Sequence, residues 1–461
     1  MTQNIVKHET DLTVGPIMKK LITYALPIIG VNMLQLVFNA ADIAILGMFS
    51  TRGDIAVGAV GANSALINLI IGLFIGISIG ANVTVARSRG ANDIERSHRL
   101  VGTSMLSGLI FGVLIMVIGF FMAEQFLIWT SCTAEKLPLA TSYLRIYLFG
   151  APIIMLYNFS ASILRATGDT LRPFIYLVIG GVLNVGLNIF FILVVGLDVE
   201  GVAIATVASQ GISALLACIS LFKSKGHARF SFKYFRLYKR EFADIIKVGV
   251  PVGLSKCFFS LSNVTIQSAI NALDETIQPG SMTAHAIGHY VDAFANEALH
   301  GIALASLSFV SQNIGANKIE RVKKTILYSF LLTAVFGVVL GGVSILMAPF
   351  ISGLMTNDSE IIRLACIRIN LVGGTCVLAG AMNVSQELLR GLGKSFLSMC
   401  IALLGSCVLR IIYINTLYLL NPSFTMVYIA YPITWTITAL AITIAMIPTY
   451  KKLKAKMTNR R

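Results

Sequence analysis

Charged residues are scarce in this sequence. Asp, Glu, Lys and Arg make up 12% of the 461 residues, hydrophobic residues make up 56%, and the mean hydropathy is +0.81. A soluble domain carries about 25% charged residues, so the composition excludes an ordinary soluble protein. Apolar runs of about 20 residues, the length that crosses a bilayer as a helix, recur from Leu21 to Tyr450. The sequence therefore predicts a polytopic membrane protein with almost nothing left for a soluble domain.

The motifs of several other classes are also missing. The seven cysteines include no CxxC pair, which argues against a metal or redox centre, and we expect no cofactor. Gly-rich segments such as GLFIGISIG have no P-loop lysine and indicate close helix packing rather than phosphate binding. A membrane enzyme would show catalytic residues clustered at one interface, and since the sequence shows none we do not expect an enzyme. The mixed-charge N-terminus, MTQNIVKHETDLTVGPIMKK, does not have the pattern of a cleaved signal peptide.

Twelve hydrophobic segments are predicted to span the membrane. The connections between them alternate between a basic set, which includes Arg87 and Arg96, and an acidic set, which includes Asp198 and Glu200. The excess positive charge, +15 in total, therefore falls on one side of the membrane. The positive-inside rule places that side, with both termini, in the cytoplasm. We expect a multi-pass protein of the inner or plasma membrane. The predicted spans are residues 16–48, 56–84, 97–123, 138–164, 170–195, 200–222, 244–272, 280–313, 322–349, 360–389, 396–419 and 424–449.

Parts of the sequence repeat at a constant spacing. GANDIER at residues 90–96 returns as GANKIER at residues 315–321, an offset of 225, and the same offset takes LRATGD onto LRGLGK. Pro27 and Pro251 are related by an offset of 224. Three landmarks in one order indicate two homologous halves of six helices, and because six is even both halves insert the same way up.

The repeat divides the chain into an N-lobe at residues 1–222 and a C-lobe at residues 244–450. A basic linker at residues 223–243 joins the lobes, and a basic cytoplasmic tail follows at residues 451–461. The alternating basic and aromatic residues of the linker fit nucleic acid or, more simply, a connector that lies on an anionic leaflet, and we expect no nucleic-acid partner. Two like halves are typical of an alternating-access transporter, whereas a channel would more often be a short oligomer-forming chain with a pore loop.

Polar side chains inside the predicted spans are candidates for function, because a charge at mid-bilayer costs about 3 kcal/mol. One carboxylate among amide and hydroxyl oxygens is a suitable site for a proton or a hard monovalent cation. Burial of the carboxylate would favour proton exchange, although Asp42 could instead cap broken helix backbone near Pro27 or simply bond to neighbouring amides. Span 1 carries Asn32, Gln35, Asn39 and Asp42 on one helical face. The side chains predicted at similar depth, within about one turn, are Asp42, Asn184, Asn188 and Thr206.

Span 8 has a second polar face. Its residues could ligate a metal such as zinc, but the sequence offers no evident third or fourth ligand, so we expect no metal. We expect instead a cavity lining in which Asp292 attracts a cation or pairs with Lys256, and we find no obvious partner for Arg410. This face holds His285, His289, Asp292, Asn296 and His300. The residues predicted to line a substrate cavity are Gln35, Asn39, Asn158, Lys256, Asn263, His285, His289, Asp292 and Asn296.

The whole chain resembles the multidrug and toxin extrusion (MATE) transporters. The resemblance rests on FNAADIAILG, SILRATGDTLRP, LNVGLNIFFI, GVAIATVASQ and FVSQNIGANKIERV. It implies an all-α protein of two six-helix lobes that form a V around a central cavity. It also implies cation-driven antiport of amphipathic, often cationic, organic compounds.

The spacing is similar to the DinF-like prokaryotic branch. In that branch an Asp in span 1, an Asn and an Asp in span 5 and a Thr in span 6 form the cation site, and these fall on Asp42, Asn184, Asn188 and Thr206. Asn188 departs from the Asp often found there, which favours a proton over Na⁺. The acidic residue that the NorM-like branch has in span 7 is also missing, and Lys256 lies in that region.

The leading hypothesis is thus an H⁺- or Na⁺-coupled efflux antiporter with Asp42 as its coupling carboxylate. We expect small organic substrates and membrane lipids as its partners, and a monomer. The alternative is a flippase for a lipid-linked saccharide, which would need cationic residues to meet a pyrophosphate. Lys256 and Arg410 fit that alternative, whereas Asp42 and Asp292 favour cationic cargo.

Overall fold

The computed structural model describes residues 10–50, 52–130 and 132–459, and within these ranges it is helical with no strand. Two segments of π-helix occur: Phe191–Val195 extends the sixth helix, and Leu403–Val408 joins the thirteenth to the fourteenth. The helices are α1 (Ile17–Phe49), α2 (Gly53–Gly90), α3 (Ile94–Trp129), α4 (Leu137–Phe149), α5 (Ala151–Ala166), α6 (Leu171–Phe190), α7 (Val199–Lys223), α8 (Lys239–Thr276), α9 (Ser281–Gly315), α10 (Ile319–Met355), α11 (Ser359–Gly374), α12 (Cys376–Gly391), α13 (Ser395–Ala402), α14 (Leu409–Asn415), α15 (Leu417–Leu420) and α16 (Phe424–Thr458).

The structure agrees with the prediction of twelve spans if each of two bent helix pairs counts as one span. In the described ranges ten helical segments are long and apolar enough to cross a membrane, and two bent pairs bring the number to twelve. The pair α4–α5 bends by 49° and the pair α11–α12 by 46°. Pro152 in the first turn of α5 explains the first bend, because proline cannot donate the backbone hydrogen bond that would continue the helix. The second bend follows Gly373 and Gly374, and a glycine pair weakens a helix through the greater conformational freedom of its backbone.

The backbone repeats at the offset found in the sequence. Asn92 and Asn317, which are 225 residues apart, both adopt the left-handed conformation, with φ of 55° and 56°. Gly168 and Gly393, also 225 apart, have φ of 89° and 93°. Asparagine and glycine tolerate this conformation best, which explains why these residues recur at the turns. The prediction of two homologous halves is therefore confirmed in the conformation of individual turns.

One substitution distinguishes the two copies of the repeated turn. In the first copy Asp93 caps α3 by accepting a hydrogen bond from the backbone N–H of Arg96 at 3.0 Å. In the second copy Lys318 occupies this position and makes no such cap. Its Nζ instead donates to the backbone oxygen of Thr13 at 2.9 Å, and Arg321 donates to the backbone oxygen of Gly15 at 2.9 Å. The second turn therefore anchors the chain segment that leads into α1.

The described chain divides into two compact units. Unit 1 holds residues 10–12 and 30–256, and unit 2 holds residues 13–29 and 257–459. The division lies inside α1 and α8, whereas the sequence analysis placed it in the linker at residues 223–243. Each unit has its own hydrophobic cores, such as the cluster around Leu144 and Leu148 in unit 1 and the one around Tyr428 and Trp435 in unit 2.

Local packing explains why α8 begins in unit 1. Gly76 and Gly80 of α2 lie so close to the backbone of α8, at Gly253 and Ile245 respectively, that a Cβ on either glycine would collide with it. Arg96 also forms an ion pair with Asp244 of α8, with an Nη2–Oδ2 distance of 2.8 Å. Helices that meet through glycines approach closely and gain dispersion contacts, which favours this pairing in an apolar solvent.

The start of α1 packs in unit 2 by the same kind of contact. Tyr24 meets Phe309 of α9 edge to face, with ring centroids 5.7 Å apart. Gly301 of α9 lies against Ile29, where a Cβ would be too close to the backbone. The start of α1 thus belongs to unit 2 and the start of α8 to unit 1, an exchange of helix segments between the units. The sequence pattern gave no sign of it, because an apolar helix face does not specify its partner.

The linker packs on α3 of unit 1. It consists of residues 224–238 between α7 and α8, and its Phe230 is buried against Phe222, Phe232 and Phe235. Gly102 of α3 leaves room for the backbone oxygen of Tyr234, which a Cβ would displace. Phe230 thus fixes the linker to the protein, whereas Phe232 is 73% exposed.

His227 joins the linker to the GANDIER turn. Its Nδ1 lies 2.9 Å from Oγ of Ser97, and its Nε2 lies 3.3 Å from Oδ1 of Asn92. Burial, together with the nearby Arg89 and His98, lowers the pKa of His227 from 6.5 to about 4, although Asp93 acts in the opposite direction. The neutral ring is therefore the form that packs here.

This lowered pKa predicts that the linker loosens in mild acid. Between pH 6.5 and about 4 the released linker would bind a proton that the packed linker excludes, so packing loses stability as the pH falls through this window. Hydrogen exchange of residues 224–238, corrected for the intrinsic pH dependence of exchange, should rise across it. In His227→Gln that pH-dependent rise should disappear, while exchange at the GANKIER turn should be the same in both proteins. A rise of equal size in His227→Gln would contradict the assignment.

Candidate functional site

Asp42 of α1 lies at the centre of a buried polar cluster in unit 1. Its side chain is 8% exposed, and Nδ2 of Asn188 donates to its Oδ1 at 2.5 Å. Asn188 itself is fully buried on α6. A hydrogen bond to a carboxylate is stronger than one between neutral groups, so this contact is the firmest in the cluster.

The other contacts in the cluster are longer. Oγ1 of Thr206 lies 3.5 Å from Oδ2 of Asp42, and Nδ2 of Asn184 lies 3.4 Å from the same hydroxyl oxygen. The Thr206 hydroxyl has one hydrogen, and its shorter bond is to the backbone oxygen of Val202 at 2.9 Å. Distances of 3.4–3.5 Å lie beyond the usual hydrogen-bond range, so these atoms are neighbours with room to adjust.

Glycines of α6 bring the cluster together. Asn184 and Asn188 are four residues apart and so share one face of α6. One turn earlier, a Cβ on Gly181 would collide with the ring of Phe38 in α1, and a Cβ on Gly180 would collide with the Ser213 hydroxyl of α7. The missing side chains let α6 approach both neighbours, which places its amides beside Asp42.

The cluster offers several oxygen atoms that could surround a cation. Asp42 contributes two, and Asn184, Asn188 and Thr206 contribute one each. Oδ1 of Asn188 is buried and accepts no hydrogen bond from the described residues. Buried carbonyl oxygens are almost always satisfied, so this oxygen could accept a hydrogen bond from water or contact a cation. The arrangement suits a proton on Asp42 or a bare monovalent cation.

A cavity of about 50 Å³ adjoins the cluster. This volume exceeds the minimum of about 15 Å³ that holds one water, so the carboxylate can exchange its proton or ion with water. The sequence analysis did not identify Gln210 as a site residue, although its position four residues after Thr206 places it on the same face of α7. Its buried Oε1 has no hydrogen-bond partner in the described ranges. The cavity is lined by Gln35, Phe38, Asn39, Asp42, Leu177, Gly180, Gly181, Asn184, Thr206, Ser209, Gln210 and Ser213.

Of the nine residues predicted to line a substrate cavity, Gln35 and Asn39 line this one. Asn158 of α5 instead donates to the backbone oxygen of Ile154 at 2.8 Å, one turn earlier in its own helix. Lys256 is the last residue of unit 1. The other five lie in unit 2, so the predicted lining residues do not form one group within either unit.

Asp292 of α9 pairs with Arg368 of α11, a partner that the sequence analysis did not consider. Nε of Arg368 lies 3.2 Å from Oδ2 of Asp292, and both side chains are almost fully buried. The expected partner, Lys256, belongs to unit 1. Arg368 lies within the apolar run ACIRINL of the predicted span 360–389, and the sequence analysis did not single it out. Asn296 donates to the backbone oxygen of Asp292 at 3.0 Å.

The histidines of α9 stack beside this ion pair. The rings of His285 and His289 are parallel, with centroids 6.2 Å apart, and Nδ1 of His285 lies 2.6 Å from the Tyr428 hydroxyl. Arg368 also donates to the backbone oxygen of His285. These residues form a structural network, and the described part of the chain contains no group of three or more His, Cys, Asp or Glu that could hold a metal.

Arg410 of α14 has a partner that the sequence analysis missed. Its Nη1 donates to Oδ1 of Asn263 in α8 at 2.9 Å, and its guanidinium lies over the rings of Tyr431 and Phe259. The two groups come from helices 147 residues apart in the chain, so no local pattern could have paired them. Arg410 is fully buried.

The comparisons with known proteins agree with this fold. The MatE family model matches two segments of the chain, residues 27–190 and 251–415, one in each half. The chain is 29% identical over 315 residues to the probable multidrug resistance protein YpnP of Bacillus subtilis, with 68% of each sequence covered. It is 22% identical over 410 residues to the multidrug export protein MepA of Staphylococcus aureus, with 88% of each covered.

A solved structure has the same fold. It is the outward-facing conformation of a multidrug resistance MATE family transporter of the MOP superfamily, and it aligns with a TM-score of 0.89 at 22% identity. The alignment covers 96% of this chain and 98% of the other. The all-α architecture expected from the sequence is therefore confirmed.

The Asp292–Arg368 pair predicts a double-mutant effect on stability. Asp292→Asn would leave a buried guanidinium without its counter-charge, which typically costs about 3–5 kcal/mol, and should lower the Tm of the purified protein. Adding Arg368→Met removes that charge and should recover much of the loss. The exposed pair Glu360–Arg363 on the same α11 provides the control, because its removal should change the Tm little. Additive losses in the double variant would show that the two groups do not act as a pair.

Proposed function

The chain belongs to the MatE family of membrane transporters, and from this membership we propose that it is a secondary active efflux antiporter. It exports amphipathic, often cationic, organic compounds, and an ion that enters the cell drives the export. The ion is H⁺, with Na⁺ as the alternative, and Asp42 is the carboxylate that binds it. The names of the relatives, which refer to multidrug resistance and multidrug export, support the substrate class.

The observation that carries this proposal is the buried cluster around Asp42. Burying a carboxylate that is only 8% exposed in a membrane protein costs free energy. Hydrogen bonds, a counter-charge or a bound ion can offset this cost. The closest partner of Asp42 is the amide of Asn188, a neutral donor, and the buried oxygen of that amide has no donor of its own in the described chain. The cluster thus resembles a site prepared for a small positive ion rather than a satisfied ion pair.

Coupling follows if the ion and the substrate prefer different conformations. Protonation of Asp42 removes a negative charge and gives the group a hydrogen to donate, so its hydrogen bond with Asn188 and its contact with Thr206 must rearrange. Any conformational equilibrium of α1, α6 and α7 would then depend on the proton. By linkage, a substrate that favours the other conformation promotes release of the proton, and the cycle exchanges one for the other.

A proton suits this cluster better than Na⁺. Only one of the four side chains in the cluster is a carboxylate, because an amide stands at position 188. A proton forms a covalent bond to one oxygen and needs no further ligands, whereas Na⁺ must replace its hydration shell with several well-placed oxygens. The protein would lie in the cell membrane with both termini in the cytoplasm, as the positions of the basic connections favour.

The flippase alternative has less support. A lipid-linked pyrophosphate carries several negative charges and would need several cations that are not already neutralised. Two buried arginines of unit 2, Arg368 and Arg390, form ion pairs with Asp292 and Glu387, which leaves Arg410 as the one buried arginine of unit 2 without a carboxylate partner among the described residues. We therefore favour an organic compound as the cargo.

Transport by purified protein in liposomes tests the proposal. Imposed pH and Na⁺ gradients, applied separately, should show that the pH gradient drives counter-transport of a fluorescent organic cation. Asp42→Asn should lose coupled transport, since the amide cannot bind a proton at working pH. The matched control is Asp54→Asn, which removes an exposed carboxylate of the same unit and should transport normally. Normal coupled transport by Asp42→Asn, or transport that neither gradient drives, would contradict the proposal.

Asn188→Asp should change the ion preference. The new carboxylate would lie beside Oδ1 of Asp42, where Asn188 now donates at 2.5 Å, and two carboxylates together hold a metal cation better than one. We expect an Na⁺ gradient to drive transport by this variant better than by the wild type, with a smaller response to pH. The same liposome assay measures both. An unchanged preference would mean that the ion is not held between residues 42 and 188.

A further inference from the structure

A second site, of opposite charge, is visible in unit 2. We propose that Arg410 is the binding group for the carboxylate of an aromatic organic compound. The proposal goes beyond the antiport function above, because it concerns a ligand of unit 2 and requires no ion gradient. It stands on the hydrogen bonds of Arg410, on the rings around it and on its place in the repeat.

The hydrogen bonds of Arg410 leave one edge of its guanidinium unused. Nη1 donates to Oδ1 of Asn263, but the buried Nε and Nη2 have no hydrogen-bond partner among residues 10–50, 52–130 and 132–459. Nε and Nη2 carry parallel N–H groups on the same edge of the guanidinium plane, and this edge forms the two-pronged contact with a carboxylate. The unused groups are therefore the pair that would receive both oxygens of one carboxylate.

The charge of Arg410 is also unbalanced. The other buried arginines of unit 2 have carboxylate partners: Arg368 pairs with Asp292, and Arg390 pairs with Glu387. Within the described ranges Arg410 forms no ion pair, although it is the largest of the fully buried side chains. A buried cation without a counter-charge is strongly unfavourable, so binding of an anion at Arg410 would recover free energy.

The surroundings of Arg410 select an aromatic ligand. Its guanidinium carbon lies 4.5 Å from the ring centroid of Tyr431 and 5.3 Å from that of Phe259. Trp435 continues the row, with its ring 5.3 Å from that of Tyr431. A compound that places a carboxylate on Arg410 could stack its own ring in this row, and aromatic contacts of this kind stabilise a bound ring.

The groups that contact Arg410 are less buried than Arg410 itself. Asn263 is exposed, and Phe259 and Tyr431 are half-buried, whereas Arg410 is fully buried. A carboxylate would therefore reach Nε and Nη2 only if these side chains rotated, while the bond from Nη1 to Asn263 could remain.

The repeat relates this site to the Asp42 cluster. The offset of 224 that relates Pro27 to Pro251 also relates Asn39, in the wall of the unit 1 cavity, to Asn263. The offset of 225 relates Thr206 to Tyr431 in the sequence. It also relates Val185, the residue that follows Asn184, to Arg410. Corresponding positions of the two halves thus hold a carboxylate site in unit 1 and a guanidinium site in unit 2. A duplicated site whose two copies differ in charge would bind ligands of opposite sign.

The fluorescence of Trp435 can report on binding. The chain has two tryptophans, so Trp129→Phe leaves Trp435 as the only one. The purified full-length variant, in a non-ionic detergent, is titrated with 3-phenylpropanoate and with its neutral amide, neither of which absorbs where tryptophan is excited. We expect a saturable change in fluorescence and a rise in Tm with the carboxylate but not with the amide.

Three arginine variants make the test specific. Arg410→Lys keeps a charge but loses the two-pronged edge, so its Kd should rise by at least about tenfold. Arg410→Met should abolish the response and should be no less stable than the parent without ligand, because it removes an unpaired buried charge. Arg363→Met, which removes an exposed arginine of unit 2, should bind as the parent does.

Several results would overturn the proposal. One is an equal response to the amide and the carboxylate in the parent protein, which does not depend on how any variant folds. Another is a carboxylate response that survives in Arg410→Met, and a third is no saturable response at all, as expected if only water solvates the guanidinium. An Arg410-dependent response to chloride alone would make this a small inorganic anion site and would contradict the aromatic ligand. None of these results bears on the antiport test, since no gradient is present in detergent.

Discussion

Polar groups are expensive inside a membrane, and this cost governs where the chain places them. A charge in the hydrocarbon region needs a counter-charge, a hydrogen-bond network or a ligand. Arg368 meets the requirement with Asp292. Asp42 and Arg410 meet it only in part, because the protein gives each of them neutral partners. The two incompletely satisfied charges are therefore the positions at which a ligand or an ion has most to contribute.

Gene duplication supplies the scaffold on which these two positions diverged. The turns at Asn92 and Asn317 have nearly identical backbones, and the bends at Gly150 and Thr375 are again 225 residues apart. The side chains on this common backbone have changed freely. Where Asp93 caps a helix, Lys318 instead binds the chain that precedes α1. Related frameworks with different side chains allow each unit its own ligand chemistry.

Much of the fold could be read from the sequence, because hydrophobic length and the repeat depend on the chain alone. The twelve spans and the two halves are of this kind. The members of the Asp42 cluster were also predicted. Their similar depth in the membrane follows from the rise of a helix, and their choice as a cation site follows from the resemblance to a known family. The role of that cluster in ion coupling stays a prediction.

The partners across helices could not be predicted. Arg368 beside Asp292 and Asn263 beside Arg410 are meetings of distant helices, and they depend on bends and rotations that a single sequence does not encode in any local pattern. The same reason explains why the exchange of α1 and α8 segments between the units was missed. Close contacts through Gly76 and Gly80 set that exchange, and a glycine in a membrane helix indicates close packing without saying against what.

If Asp42 is the coupling carboxylate, it gives up its proton when substrate binds. The direct measurement is the number of protons released to an unbuffered solution when a transported organic cation is added to the purified protein, with no membrane and no gradient. The account predicts about one proton for each molecule of cation bound by the wild type and none for Asp42→Asn, provided that the variant still binds the cation. Equal proton release by the two proteins, or binding by the wild type without release, would contradict it.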